Sequence, residues 1–214
     1  MASELARGVR HSMTGFGVIM AGGEGTRMAI APARTCNKAL QAFGQAYLIS
    51  PSIALMRQVC TRFAISANQD LDKLQQLAPD ALLLADLPSW QKQGPLAGIA
   101  SCVAQLQSQN LDYESLVVVP CDMPFLTVDV MQALQQHLGQ HPAVYAEFAG
   151  RAYPLVSVFS TTGAQQLLSY MGSTEHFGVY RCLRHIGAQA VPFVGAGYQK
   201  IFSNLNDQTA LQQL

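Results

Sequence analysis

The chain has 214 residues, half of them hydrophobic, which is enough to bury the core of one ordinary domain without disulfides or metals as staples. Only 12% are charged, and 13 Lys and Arg balance 13 Asp and Glu, so no basic field draws in nucleic acid or an anionic membrane. An anionic ligand must therefore be held by a few placed cations.

The five cysteines (Cys36, Cys60, Cys102, Cys121, Cys182) form no C-x-x-C pair and have no histidine at ligand spacing, which argues against a zinc site or a disulfide framework. Residues 1–14 mix Glu4, Arg7, Arg10 and His11 with small residues and lack the apolar core of a signal peptide. They read as a loose tail on one domain spanning 15–214. No run reaches the roughly 18 apolar residues of a membrane helix, so a cytoplasmic protein is expected.

The run Gly17-Val18-Ile19-Met20 breaks into Ala21-Gly22-Gly23-Glu24-Gly25-Thr26-Arg27-Met28. This predicts a first strand opening into a phosphate-binding loop. Glycine lacks a Cβ, so Gly22 and Gly23 let backbone N–H groups converge on one anion, and Arg27 adds a fixed charge. A tight turn with no ligand is the competing reading. A Walker loop is excluded, because Thr26 and Arg27 follow Gly25 where Lys-Ser/Thr is needed. A dinucleotide fingerprint fails at its third glycine, which is Met28 here.

Ala29 to Asn37, with Pro32 and Arg34, has no periodicity and reads as a flexible segment over the phosphate site, followed by Lys38-Ala39-Leu40. A helix is expected from about Tyr47 to Val59, with Pro51 in its first turn. Phe63–Ala67 reads as a strand ending at Asn68. A helix over Asp70–Leu77 follows, and then a strand over Ala81–Ala85 that ends at Asp86. Gly94-Pro95-Leu96-Ala97-Gly98 opens a helix to about Gln107. Leu116-Val117-Val118-Val119, apolar on both faces, predicts a central parallel strand that stops at Pro120-Cys121-Asp122. Beyond it come a helix from an N-cap at Thr127 to Leu138 and a hairpin of Val144–Phe148 with Leu155–Phe159 around Gly150-Arg151. Helices near Gly163–Tyr170 and Val179–Ile186, a strand at Ala190–Phe193, and a final helix capped by Asn204-Leu205-Asn206-Asp207 complete the chain.

Alternating strands and helices predict an α/β fold, a mostly parallel sheet with helices on both faces. Ligands of such sheets bind beyond the carboxyl ends of the strands. The Gly22-Gly23 loop, Asn68, Asp86 and Asp122 each follow a predicted strand, so they converge on one edge, although Asn68 and Asp86 could each be a plain turn former. Asp122 is the strongest candidate for a metal. Magnesium is often held by one or two carboxylates plus phosphates and water. The alternative is a cap for the helix at Thr127. A glycine loop, Arg27, Lys38 and one strand-end aspartate suit transfer at a nucleotide phosphate, which needs positioning and charge neutralisation more than a protein nucleophile. Arg27 and Lys38 could otherwise be surface cations, and Cys121 reads as a packing residue.

These stretches, with Tyr153-Pro154 and Asn204-Leu205-Asn206, follow the order found in molybdenum cofactor guanylyltransferases, and the chain resembles that family from Gly17 to Leu214. The resemblance implies a Rossmann-like nucleotidyltransferase that joins GMP from GTP to molybdopterin, with magnesium, releasing pyrophosphate. It implies that Met20, Ala21, Gly22, Lys38, Asn68, Asp86 and Asp122 contact GTP and that Asp122 also binds the metal. Transient contact with cofactor-synthesis or acceptor proteins belongs to the same expectation, with no nucleic acid or membrane partner. Guanine offers N1–H and N2–H donors, which Asp86 or the 94–98 segment could accept. Arg151, Arg181 and Arg184 stand as either contacts to the acceptor phosphate or solvated cations. One stretch departs from the family pattern. Its link to the lysine is usually shorter, contains glycine and ends in aspartate, whereas this one lacks glycine and ends in Asn37, which leaves the register of Lys38 open. Another nucleotidyltransferase, or a non-catalytic nucleotide-binding relative, is the alternative.

Overall fold

The structure, a computed structural model, describes residues 15–22 and 37–205. β1 (Gly15–Met20) is buried along its whole length, as expected of a central strand. From Asn37 the chain makes one 3₁₀ turn (Lys38–Leu40) and then a small antiparallel ribbon, β2 (Ala42–Phe43) with β3 (Ala46–Tyr47), turning at Gly44 with φ 59°. The helix expected from Tyr47 therefore begins later. Leu48 and Ile49 are buried, but their amides donate to the carbonyls of Gln41 and Ala39, and α1 (Ser50–Val59) starts with Pro51 in its first turn.

The elements β4 (Arg62–Ser66), α2 (Leu71–Leu77), β5 (Leu82–Leu84), α3 (Pro95–Ser108) and β6 (Ser115–Pro120) follow the expected alternation. Next comes α4 (Val128–Leu138). Thr127 occupies its N-cap position without a side-chain capping bond. The hairpin of β7 (Ala143–Phe148) and β8 (Arg151–Ser160) turns at Ala149-Gly150 rather than Gly150-Arg151, with Arg151 already paired to Phe148. Both turn residues have positive φ, 51° and 72°, as a two-residue type I′ turn requires. The chain continues through α5 (Thr161–Ser173), α6 (Val179–His185), β9 (Gln189–Phe193) and a single turn, α7 (Tyr198–Ile201), that the sequence reading had not placed. The expected tail, most of the 29–37 segment and the terminal helix lie outside the described residues.

Seven strands form one sheet in the order β5-β4-β1-β6-β8-β7-β9. β8 alone runs against the other six. Side chains alternate between two apolar layers. Ile19, Ile65, Val117 and Val119 pack with residues of α1 and α4 on one face, while Val18, Ala64, Leu116 and Val118 pack with α3, α5 and α6 on the other. Val117, Val118 and Val119 are fully buried, and each contributes about 1.5–3 kcal/mol, which makes β6 a rigid base for whatever follows it. The connection from β1 leads toward β4, whereas β6, on the other side of β1, leads away toward β7 and β8. Such a reversal opens a crevice at the carboxyl ends of β1 and β6.

Candidate active site

The register brings the strand ends level. Met20 pairs with Ser66 on one side and with Pro120 on the other, and Ser66 pairs with Leu84. Residues one or two positions beyond these ends must therefore share a rim, and Ala21, Gly22, Asn68, Asp86 and Asp122 all lie on it. The backbone stitches them together. The Ala21 N–H donates to the Ser66 carbonyl (2.9 Å), the Ala67 N–H to Leu84 (3.1 Å) and the Cys121 N–H to Met20 (3.1 Å).

At one end of the rim, Asn68 and Asp86 form a reciprocal pair. Asn68 Nδ2 donates to Asp86 Oδ2 at 2.9 Å, and the Asp86 N–H donates to Asn68 Oδ1 at 2.8 Å. Neither residue is a plain turn former, because each fixes the other across the ends of β4 and β5. Gly98 of α3 explains why the helix can sit so close to them. A Cβ there would fall 2.7 Å from Met20 Cε, 2.7 Å from Ser66 Oγ and 3.4 Å from Asp86 Oδ1. The two candidate base readers, Asp86 and the 94–98 segment, are thus one locus.

At the crevice, Lys38 Nζ meets Asp122 Oδ2 at 2.5 Å across 84 positions of sequence, with side-chain exposures of only 15% and 17%. This contact brings Lys38, whose register the 29–37 segment leaves open, onto the candidate rim beside Asp122. Among the described residues the Asp122 carboxylate pairs with Lys38 and not with the start of α4, which argues against the capping alternative. Asn37, in the family's aspartate position, caps the 3₁₀ turn by accepting the Ala39 N–H at 3.1 Å, and its Nδ2 lies 3.5 Å from the Gln69 carbonyl. An aspartate could supply only the first contact. The Leu205 N–H donates to the Asp122 carbonyl at 3.0 Å, and Ser52 Oγ donates to the Pro120 carbonyl at 3.2 Å, so the backbone around Asp122 is tethered from both sides. Gly23 and Arg27 lie outside the described residues.

The matching family profile is that of the MobA-like NTP transferase domain, over residues 17–190. The chain belongs to this family. It is 30% identical over 191 residues to a molybdenum cofactor guanylyltransferase of Serratia proteamaculans, covering 89% of this chain and 88% of that one. It is 26% identical to a Neisseria meningitidis serogroup C enzyme of the same name, covering 92% and 88% of the two chains. Among solved structures, the molybdopterin-guanine dinucleotide biosynthesis protein A of Archaeoglobus fulgidus superposes with a TM-score of 0.69 at 18% identity, over 92% of this chain and 95% of that one. As a MobA-like protein the chain is a nucleotidyltransferase.

Within this MobA-like core, two site residues escaped the sequence reading. Ser101, buried on α3, accepts the Leu87 N–H at 2.8 Å, and Gln105, one turn on, donates from Nε2 to the Ala85 carbonyl at 2.9 Å. Together they clamp the loop that carries Asp86. Their one signal was a polar pair at i, i+4 on a largely apolar helix, which Gln107 and Ser108 dilute. The buried thiols stay out of the chemistry. Burial pushes Cys60, Cys102, Cys121 and Cys182 up to about 12, which leaves Cys121 a packing residue despite its place beside Asp122.

Among the described residues no group of three or more His, Cys, Asp or Glu gathers to hold a metal. A lone strand-end carboxylate still fits magnesium, which completes its octahedron with phosphate oxygens and water. Arg181 and Arg184 lie exposed on α6, while Arg151 stacks over Tyr153 at 5.2 Å from the ring centre. A cleft of about 270 Å³ lined by Arg57, Thr61, Arg62 and Asp80 sits where β4 and β5 begin, at the opposite edge of the sheet, and gathers none of the site residues. Among the described residues, no helix is long and apolar enough to cross a membrane.

Proposed function

We propose that this chain transfers GMP from GTP to the phosphate of molybdopterin, giving the guanine dinucleotide form of the cofactor and pyrophosphate. The observation that carries this reading is the Lys38–Asp122 pair at the carboxyl end of β6, level with the Gly22 loop, in a chain whose relatives are named molybdenum cofactor guanylyltransferases.

Gly22 meets the triphosphate and Lys38 offsets its charge, with Gly23 and Arg27 assigned to the same task from the sequence alone. Asp86 accepts the N1–H and N2–H donors of guanine, held in place by Asn68 and by the clamp from α3. An oxygen of the acceptor phosphate attacks the α-phosphorus. The new P–O bond forms as the bond to the bridging oxygen breaks, and the electron pair leaves on pyrophosphate. Asp122 is the residue that would hold magnesium, which when bound supplies Lewis-acid stabilisation of the charge growing on the leaving group. No protein nucleophile is needed, which agrees with a rim built for positioning.

The test is to incubate the protein with molybdopterin, magnesium and radiolabelled GTP or CTP and to measure pyrophosphate and labelled product. Release with GTP but not CTP is the expected result. Release with CTP reassigns the base, and binding without release reassigns the chain as a non-catalytic nucleotide binder.

A further inference from the structure

Lys38 and Asp122 do more than share a rim. One oxygen of the carboxylate is taken by the ammonium at 2.5 Å, and the pair is largely shielded from water. A divalent cation on the same carboxylate would sit close to the ammonium and be repelled by it, even through the second oxygen. An ion arriving alone would have to bear that repulsion or displace Lys38, and among the described residues no group of three or more His, Cys, Asp or Glu gathers to compensate it. A metal–nucleotide arriving together faces a different balance. The triphosphate offers new oxygens to the ammonium, whose four-carbon stem is flexible enough to follow them, and it supplies further ligands to the metal.

We propose that Lys38 is the resident counter-ion of Asp122, which closes the site to free divalent ions and passes to the nucleotide phosphates when metal and nucleotide bind together. The inference rests on the assignment of Asp122 as metal ligand made above. It adds an order of events in which metal enters with nucleotide and not before. The same lysine then passes from the carboxylate to the phosphates.

The test uses Mn²⁺ as probe, followed by electron paramagnetic resonance, and requires neither acceptor nor turnover. The wild-type chain is expected to bind Mn²⁺ at least about tenfold more tightly with GTP than without it, a coupling of ordinary size. Lys38→Met is expected to bind Mn²⁺ alone about tenfold more tightly than wild type, while GTP binding weakens. Lys38→Gln, carried in parallel with thermal melts, keeps the reading independent of one variant's folding. Adding Asp122→Asn to Lys38→Met should abolish the gain and so locate it at the carboxylate. Equal Mn²⁺ affinity of wild type and both Lys38 variants in the absence of GTP, with Mn²⁺–GTP binding still sensitive to Asp122→Asn, overturns the exchange alone. Mn²⁺–GTP binding insensitive to Asp122→Asn overturns both the exchange and the metal assignment beneath it.

Discussion

The rim over β5, β4, β1 and β6 and the rim over β8, β7 and β9 are held in different ways. In the first, short polar groups and backbone amides interlock, as in the Asn68–Asp86 pair and the Ala21–Ser66 bond. In the second, aromatic rings pack together. Phe202 lies 5.5 Å from Phe148 and 4.8 Å from Tyr153, and Phe193 lies 5.2 Å from Tyr198. Hydrogen bonds fix the direction of individual atoms, which positional chemistry needs, whereas ring packing supplies buried area and stiffness with little demand on any one atom. The two meet at Asp122, where Leu205, three residues after Phe202, donates its N–H to the Asp122 carbonyl. Damage to the first rim should therefore appear in kinetics, and damage to the second in stability.

The largest kinetic effect expected away from the metal position is that of Asp86→Ala. Loss of two charge-assisted bonds to guanine should lower kcat/KM for GTP about a hundredfold and erase the preference over CTP, with little change in melting temperature. A melting temperature that collapses while selectivity survives would show that Asp86 braces the loop and does not read the base. On the ring side, Phe202→Ala should cost about 3–5 kcal/mol, lowering the melting temperature by about 10 °C in a domain of this size, with KM for GTP unchanged in the remaining folded protein. A smaller effect of opposite sign is expected at the seam. Ser157 of β8 is fully buried opposite Val118 and Tyr145, and its hydroxyl has no partner among the described residues, so Ser157→Ala should raise stability by about 1 kcal/mol in a urea titration. A loss of stability would mean that the hydroxyl is satisfied by bound water.

The smallest effect belongs to neither rim. At the far edge, Arg57 holds Asp80 through two bonds of 2.9 and 2.6 Å, and its hydrogen bonding keeps the Asp80 carboxyl below its usual range. A depressed folded-state value stabilises the protein above the ordinary carboxylate range, and that stabilisation is lost as pH falls through the lower folded value. Both groups are about half exposed, so Asp80→Asn should cost no more than about 0.5 kcal/mol at neutral pH, and the difference should vanish in acid.

The two rims were also unequally legible in the sequence. The strands β4, β5 and β6 are apolar runs soon followed by a polar residue, and in a parallel sheet such ends face the same side, so Asn68, Asp86 and Asp122 could be gathered without coordinates. Lys38 could be placed beside the loop but not in register, because the segment before it has no periodicity. The contact with Asp122 is what sets it on the rim. The β2–β3 ribbon and α7 went unseen because elements of two to four residues carry no repeat to detect. The ring cluster joins residues from β7, β8, β9 and α7, and no local pattern marks such a meeting. Ser101 and Gln105 were missed for a related reason. Their partners are backbone groups 14 and 20 positions away, and the side chains alone look like ordinary helix polarity.

The most direct measurement is the turnover of Asp122→Asn at limiting and saturating magnesium, beside its thermal melt. Asparagine keeps the shape of the side chain and removes the charge that a hard cation needs. The expected result is a melting temperature within a few degrees of wild type and a rate lower by at least about a hundredfold, recovered in part as magnesium is raised. Near-wild-type turnover at limiting magnesium would contradict it and remove Asp122 from the chemistry.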